Sequence, residues 1–67
     1  RFRKTMYTKH AIKKGSVINV DDIIYTAPAY GIYSKYEDIV IGQIATEDIA
    51  ENMPITWGVL GGPPGGL

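Results

Sequence analysis

The 67-residue chain has no cysteine, and this absence excludes disulfide bonds and thiolate metal sites. It also has no excess charge of either sign, because seven basic residues balance seven acidic ones. No apolar run approaches the ~20 residues that cross a bilayer, and the opening RFRKTMY lacks the apolar centre of a signal peptide. These absences predict a cytoplasmic domain with no membrane partner.

The chain also lacks the length for more than one domain. A domain of this size buries only about 60% of the surface that its unfolded chain exposes, so its stability is expected to be small. The composition is 45% apolar and 21% charged, which is ordinary for a globular fold and too apolar for a disordered chain. We therefore expect a folded domain with a small core.

Basic residues are few but unevenly placed, since six of the seven precede the first acidic residue, Asp21. Such an arm can touch phosphates, yet the sequence has neither a recognition helix nor an aromatic-rich platform for nucleotides. A balanced net charge also differs from the strong basic excess of phosphate-binding domains. We expect a solvated surface or the end of a linker here, and no nucleic-acid partner.

A repeated pattern organises what is present. Residues 12–23 (IKKGSVINVDDI) are matched 37 positions later by residues 49–60 (IAENMPITWGVL). Gly15 aligns with Asn52, and these two residue types most readily enter the left-handed backbone region that closes a tight turn. The other aligned pairs are Ile12 with Ile49, Ile18 with Ile55, Asn19 with Thr56, and Ile23 with Leu60. The pattern predicts two similar loops about an approximate two-fold axis, and a chance match of two apolar segments is the alternative.

Each copy should end in a short helical turn. The side chains of Asn19 and Thr56 can accept hydrogen bonds from the free amides of turns over residues 21–23 and 58–60. The repeated unit is therefore an apolar anchor, a tight turn, a short strand, a capped turn and a second anchor.

Short strands are predicted between and before the copies. Residues 5–8 alternate in side-chain direction, and residues 23–26 are rich in β-branched and aromatic types. Pro28 ends the second strand and begins a loop over residues 28–33 that bends at Gly31. Residues 43–45 offer another short strand, and Pro54 places its neighbour at an edge or a bulge.

One short helix is predicted after this loop. Ser34 and Glu37 have the spacing of a capping box, and Gly42 is a good left-handed terminator. The helix should direct Tyr36, Ile39 and Val40 inward, and Trp57 should pack under the last turn of the chain. The prediction is thus a mostly β, loop-rich fold with one short helix and several single helical turns.

Candidate catalytic groups are scarce. His10 is the only histidine and has no partner that the sequence can assign, which favours an exposed structural residue over a general base. The acidic doublets at 21–22, 37–38 and 47–48 lie at or near turn starts, where capping explains them. A calcium or magnesium site would need further oxygen ligands that no pattern supplies. We therefore predict no catalytic residue, no metal site and no cofactor in this chain.

Tyrosine is the abundant aromatic residue, and Tyr30, Tyr33 and Tyr36 lie close together around Gly31. Tyrosines in a bent loop can contact a sugar or a partner protein while the hydroxyl donates a hydrogen bond. They can equally cover a small core. The sequence leaves both interpretations open.

Several motifs together resemble a known family. They are Ile12-Lys13-Lys14-Gly15, Asp21-Asp22-Ile23, Pro28 with Gly31-Ile32, Ile41-Gly42, and Pro54-Ile55-Thr56-Trp57. As a set they are similar to the antifreeze-like (SAF, β-clip) domain at the C-terminus of bacterial sialic acid and pseudaminic acid synthases. The resemblance runs from about residue 3 to residue 60. It implies a β-clip pretzel fold with an internal pseudo-two-fold over residues 5–60. Residues 1–4 would end an interdomain linker, and residues 61–67 would form a disordered Gly/Pro tail or a cloning remnant.

The resemblance also implies a role. In those synthases a separate barrel condenses phosphoenolpyruvate with an N-acetylated amino sugar, using a divalent metal. The C-terminal domain covers the active site of the second subunit of a homodimer and lends it a loop residue. We therefore expect a non-catalytic accessory domain of a transferase in carbohydrate biosynthesis. Its partners would be the barrel of the same protein, the second subunit and the amino sugar.

One position departs from the family pattern. The family typically places an arginine before the loop proline, where it reaches the sugar, and this chain has Ala27. Alanine cannot make that charged, multi-donor contact. The expected substrate-loop residues are therefore Pro28 and Gly31, which shape the loop, and Tyr30, whose hydroxyl would substitute as a donor.

The alternative function is a free-standing binding module, in particular an ice-binding one, because type III antifreeze proteins share this fold. An ice-binding face is flat and uncharged, whereas the corresponding surface here runs through His10 and Gly15 to residues 21–22. Those charges hold hydration water strongly, so we expect no thermal hysteresis above a buffer control. Hysteresis that is abolished by changing Asn19 or Val20 would contradict this.

Overall fold

The computed structural model describes residues 4–62, and within them no helix or strand exceeds four residues. Strand β1 is Thr5–Thr8, strand β2 is Ile23–Thr26 and helix α1 is Glu37–Val40; 3₁₀ turns occupy Val20–Asp22, Ser34–Tyr36 and Trp57–Leu60. This confirms a fold of short strands with one short helix and several single helical turns. Residues 1–3 of the predicted linker and 63–67 of the predicted tail lie outside the described residues.

The two strands form a small antiparallel sheet. Thr5 pairs with Thr26 at one end, and Thr8 pairs with Ile23 at the other. All four β1 residues are buried, so the alternating faces of this strand both lie inside the fold. Pro54 lies opposite Tyr7 in an isolated bridge, as expected for a residue without an amide donor.

The predicted two-fold is visible at its centre. Ile12 and Ile49 exchange both backbone hydrogen bonds, with N···O distances of 2.8 and 2.7 Å. A residue and its aligned partner can pair in this reciprocal way only if the two copies run antiparallel past each other. The axis therefore lies between these isoleucines.

The hydrogen bonds between the copies obey the same symmetry. The Gly15 N–H donates to the Ala45 carbonyl at 2.8 Å, and the Asn52 N–H donates to the Thr8 carbonyl at 2.9 Å. Asn52 follows Gly15 by the repeat offset, and Ala45 follows Thr8 by the same offset. Two further backbone hydrogen bonds have a symmetric counterpart. The bond from the Ile18 N–H to the Gln43 carbonyl corresponds to the bond from the Ile55 N–H to the Met6 carbonyl. The bond from the Thr8 N–H to the Met53 carbonyl corresponds to the bond from the Ala45 N–H to the Ser16 carbonyl. The repeat thus extends over residues 6–23 and 43–60, and a two-fold rotation relates its halves.

Backbone angles confirm the aligned turns. Gly15 has a φ of +89° and Asn52 a φ of +59°, so both residues are left-handed. Asn19 and Thr56 precede the first and third 3₁₀ turns with nearly equal angles, φ −112°, ψ 161° and φ −116°, ψ 163°. The prediction of side-chain caps is wrong for Thr56, which makes no cap hydrogen bond. Both turns also begin one residue earlier than predicted.

The core is built mainly from the paired anchors. Ile18 and Ile55 are both fully buried, and Met6 and Val40 join them at 0% exposure. The remaining core residues are Ile12, Ile23, Ile32, Ala45, Ile49 and Leu60. Because each copy contributes isoleucines at equivalent positions, neither loop can bury its apolar side chains without the other.

The helix differs from its prediction at its start. Ser34 lies inside the second 3₁₀ turn and makes no capping hydrogen bond, so the predicted capping box is wrong. The 3₁₀ turn, begun by Tyr33, leads directly into α1 and removes the need for a side-chain cap. Ile39 is only half-buried, and Ile41 packs against the core with Val40. Gly42, with a φ of +96°, follows the helix as expected.

The left-handed turns give a paired prediction. Gly15→Ala should lower the free energy of unfolding by about 1–2 kcal/mol, because it adds a strained Cβ in this region, and Asn52→Ala should lower it by a smaller amount, because it removes the short polar side chain that lets asparagine adopt this conformation. Asn52→Gly should be tolerated, since glycine has no Cβ. Urea unfolding of the three variants measures these differences. Equal stability of Asn52→Ala and Asn52→Gly would contradict a left-handed turn at this position.

Candidate functional site

An aromatic cleft of about 220 Å³ lies within the described residues. It is lined by Tyr30, Gly31, Ile32, Tyr33, Tyr36, Thr56 and Trp57. Four of these side chains are aromatic, which is more than half of the seven aromatic residues in the chain. The predicted tyrosine cluster therefore exists, and Trp57 joins it.

The cleft lies where the symmetry breaks. Residues 24–42 connect the two copies and have no counterpart in the repeat. This connection supplies the tyrosines and Gly31, whereas the second copy supplies Thr56 and Trp57. Val20 occupies the position in the first copy that corresponds to Trp57, and its side chain is 55% exposed. The two copies thus have similar backbones, but the aromatic cleft forms only beside the second copy.

The loop over residues 27–33 is held by hydrogen bonds to β1. The Tyr7 hydroxyl donates to the Pro28 carbonyl at 2.7 Å, and the Gly31 N–H donates to the Thr5 Oγ1 at 3.1 Å. The Ala27–Pro28 peptide bond is cis. The Tyr30 N–H donates to the Pro28 carbonyl at 2.9 Å, which closes a tight turn. Tyr30 itself projects from this fixed loop with 72% of its surface exposed.

Gly31 is required by close packing and not by its backbone angles. A Cβ atom at this position would overlap the carbonyl oxygen of Met6 and would lie 3.1 Å from the carbonyl oxygen of Ile55. The next residue, Ile32, bonds both of these residues: its N–H donates to Ile55 at 2.8 Å, and its carbonyl accepts from Met6 at 2.9 Å. The loop is therefore inserted between the backbones of the two copies.

Ring contacts fix the floor of the cleft. Tyr36 and Trp57 meet edge to face, with ring centroids 6.1 Å apart and an interplanar angle of 66°. The Lys35 Nζ lies 5.0 Å from the Tyr36 ring centroid, within the range of a cation–π contact. An adjoining depression of about 250 Å³ shares Tyr33 with the cleft and is otherwise lined by Lys4, Ser34 and Lys35.

Comparison with known proteins decides the family. The model of the SAF domain family matches residues 3–60, which is most of the chain. This chain belongs to the SAF domain family. An uncharacterised protein of Methanocaldococcus jannaschii, MJ1065, is 35% identical to the SAF domain over 55 residues, covering 82% of this chain and 16% of that protein.

A solved structure has the same fold. The crystal structure of the spore coat polysaccharide biosynthesis protein SpsE from Bacillus subtilis matches the SAF domain with a TM-score of 0.77 and 23% identity. The match covers 88% of this chain and 18% of SpsE. The β-clip fold expected from the motifs is therefore confirmed. The SAF domain spans less than a fifth of the length of either protein.

The SAF domain brings together two of the three predicted substrate-loop residues. Tyr30 and Gly31 line the cleft, while Pro28 lies outside its lining and supports the loop through its carbonyl. Ala27, at the arginine position of the family, is exposed. Thr56, which lines the cleft, and Lys35, which lines the adjoining depression, were not predicted as site residues, and Trp57 was predicted only to pack. The motif Pro54-Ile55-Thr56-Trp57 indicated that this segment matters to the family, but no short-range sequence pattern indicates that it contacts the tyrosine loop.

His10 has a partner, contrary to expectation. Its Nε2 lies 2.9 Å from the Asp22 Oδ1, and its Nδ1 lies 3.1 Å from the Ala11 carbonyl oxygen. The His10 side chain is 56% exposed. The Asp22 carboxylate also accepts the Asn19 N–H at 2.9 Å, so it fixes the local turn as well.

The predicted capping role holds for two of the three acidic doublets, those of Asp22 and Asp48, whereas helix α1 has no side-chain cap at residues 37–38. Asp22 and Glu37 lie in the first turns of short helical segments. Asp48 caps the other copy, because its Oδ1 accepts the Lys14 N–H at 2.8 Å. Within residues 4–62 no three His, Asp or Glu side chains are grouped so that they could hold a metal ion. No helix in that part of the SAF domain has the length and apolar character to span a bilayer.

Tyr25 gives the SAF domain a pH-dependent stability. Burial raises the pKa of Tyr25, and the charge of Glu37 and the 3.4 Å hydrogen bond to it raise it further. The contribution of Tyr25 to the free energy of unfolding is fully present below about pH 10, the pKa of a tyrosine in the unfolded chain. It is lost as the pH rises through the higher pKa that Tyr25 has in the folded domain. The free energy of unfolding should therefore fall above about pH 10.

Urea unfolding between about pH 8 and 11 measures this slope. Tyr25→Phe should flatten it, whereas Tyr30→Phe should leave it unchanged because Tyr30 is mostly exposed. The same alkaline slope in Tyr25→Phe and the wild type would show that another group is responsible.

Proposed function

We propose that this SAF domain is a non-catalytic part of an enzyme related to sialic acid and pseudaminic acid synthases. In this proposal it covers the active site of the second subunit of a homodimer and helps to bind an N-acetylated amino sugar. The family membership and the motif set support the type of parent enzyme. The observation on which the proposal depends most is Tyr30, which projects from a loop fixed between both copies of the repeat.

A fixed loop with one projecting amphipathic side chain suits a role in another subunit's site. The backbone at Tyr30 loses little conformational entropy on binding, because the adjoining Gly31 and Ile32 are already held by hydrogen bonds to Thr5, Met6 and Ile55. The Tyr30 ring can cover apolar ligand surface while its hydroxyl donates a hydrogen bond. The loop is therefore already ordered in the folded domain, so its ordering adds no free-energy cost to binding.

The expected contribution to the reaction is positioning and exclusion of water. Covering a site strengthens the electrostatic interactions within it and holds the reactants in place. The condensation itself, including the divalent metal, would belong to the barrel of the parent protein. The aromatic lining beside Tyr30 would contact the sugar ring, and Ala27 would leave the sugar without the arginine contact of the family.

The test compares condensation rates of the full-length parent protein with and without residues 5–60. The assay supplies phosphoenolpyruvate, manganese and either N-acetylmannosamine or N-acetylglucosamine. We expect removal of the domain to lower kcat/KM at least about tenfold, the order of effect of losing one positioning interaction. Equal rates would remove the proposed role.

A point variant refines this test. Tyr30→Ala should raise KM for the amino sugar without unfolding the domain, because the side chain is 72% exposed. Val20→Ala, at the pseudo-symmetric counterpart of Trp57 and 55% exposed, is the matched control and should leave KM unchanged. If both variants behave alike, the Tyr30 loop does not face the sugar.

A further inference from the structure

The aromatic cleft and the adjoining depression share the lining residue Tyr33, and we call these two lobes together the Tyr33 groove. Its aromatic lobe is lined by Tyr30, Tyr36, Thr56 and Trp57, and its lysine lobe by Lys4, Ser34 and Lys35. Tyr33 lines both lobes. Lys35 connects them a second time, because its ammonium group lies over the Tyr36 ring.

The two lobes offer complementary chemistry. Aromatic faces attract the apolar C–H surface of a sugar ring, and tyrosine and threonine hydroxyls can bond its hydroxyl groups. The lysine lobe has two ammonium groups and a serine hydroxyl, and none of the residues that line either lobe is acidic. An anionic group placed there meets attraction without an opposing carboxylate in the lining.

The size of the groove favours a single sugar. Each lobe measures about 220–250 Å³, which is below the roughly 300–1,000 Å³ of pockets that hold drug-sized molecules. One ring in the aromatic lobe would leave its charged substituent directed across Tyr33 into the lysine lobe.

We propose that the Tyr33 groove binds an anionic monosaccharide, with the ring against the aromatic lobe and the anionic substituent at Lys4 and Lys35. This inference goes beyond the proposed function, whose N-acetylated amino sugar is uncharged, and rests on it only for the claim that the Tyr30 loop faces a sugar. The two lysines would then supply the positive charge that Ala27 does not.

The test titrates the 67-residue chain with glucuronate and with glucose, which differ in ring substituent by one carboxylate. Amide and indole resonances in two-dimensional NMR report which residues respond. Glucuronate should shift the signals of Tyr33, Lys35 and the Trp57 indole and should bind at least fivefold more tightly than glucose. Equal affinity for the two sugars would overturn the proposal.

Charge-matched variants identify the lysine lobe. The double variant Lys4→Gln, Lys35→Gln should lose the preference for glucuronate, whereas Lys13→Gln, Lys14→Gln, which removes two exposed charges outside the groove, should keep it. Tyr30→Ala should weaken the binding of glucuronate and of glucose by a similar factor. If the preference survives in the first double variant, or disappears equally in both, the lysine lobe is not the anion site.

Simple anions provide the remaining control. If acetate or inorganic phosphate causes the same shifts at the same concentrations as glucuronate, the groove binds an adventitious ion only and the proposal fails. The result is separable from the proposed function. If the wild-type chain shows no preference for glucuronate, this inference is refuted even where condensation still depends on the domain, whereas equal condensation rates without the domain refute the proposed function itself.

Discussion

Gly31→Ala is expected to destabilise the domain by about 3 kcal/mol or more, at the upper end of the cost of overpacking. The added Cβ would overlap the carbonyl oxygen of Met6, a residue that is 0% exposed, and would also crowd the Ile55 backbone. Backbone atoms in hydrogen-bonded contacts cannot move aside as a flexible side chain can. Relief therefore requires the Tyr30 loop to leave its place between the two copies.

Gly58→Ala is the matched control for this substitution. Its Cβ would meet only the Thr56 Oγ1, at an ordinary 3.7 Å, and glycine is a poor helix former. The free energy of unfolding should therefore change by less than about 1 kcal/mol. If urea unfolding gives Gly31→Ala and Gly58→Ala the same stability, the close approach at Gly31 does not exist.

Ile18→Ala and Ile55→Ala are expected to cost nearly equal amounts, each about 2–5 kcal/mol. Both side chains are 0% exposed and occupy equivalent positions in the two copies, so each truncation leaves a similar cavity. A domain of 67 residues has a total stability of roughly 3–10 kcal/mol, so either variant removes a large part of it.

Thermal and urea unfolding measure this pair against Ile44→Ala. Ile44 is 53% exposed, and its truncation should cost less than about 1 kcal/mol because little apolar surface is returned to water. A large cost for Ile18→Ala together with a small cost for Ile55→Ala would show that the two copies do not share the core equally.

The parts of the fold that the sequence predicted are those decided locally. Gly15 and Asn52 can be recognised as left-handed because their residue types differ from others in conformational cost. The strands Thr5–Thr8 and Ile23–Thr26 follow from side-chain types and from Pro28. The repeated spacing of these features then predicted that the two segments are equivalent. Asn19 and Thr56, for example, differ in type but occupy the same position in the repeat, and each precedes a 3₁₀ turn.

The errors arise where a distant segment decides the outcome. The capping-box pattern at Ser34 was not used because the preceding backbone already forms a 3₁₀ turn. His10 pairs with Asp22 across the first copy, and no short-range pattern indicates this contact. Gly31 was assigned to a bend, whereas its requirement comes from the carbonyl of Met6.

The candidate site was predictable only in part for the same reason. Tyr30 and Gly31 were identified through the family motif, and both line the aromatic cleft. Trp57 lines the cleft because the 3₁₀ turn of the second copy lies beside the segment that connects the two copies. Lys35 follows Ser34 in a pattern that seemed to begin a helix, and its contact with Tyr36 is set by the turn that forms instead.

The activity of mixed dimers of the full-length parent protein tests the central proposal most directly. One subunit retains this domain but has an inactivated barrel, and the other has an active barrel but lacks residues 5–60. We predict that the mixed dimer condenses phosphoenolpyruvate with the amino sugar at least tenfold faster than either homodimer, because the retained domain covers the partner's active barrel. A mixed dimer that forms in full amount but is no faster than the homodimer lacking the domain would contradict the account.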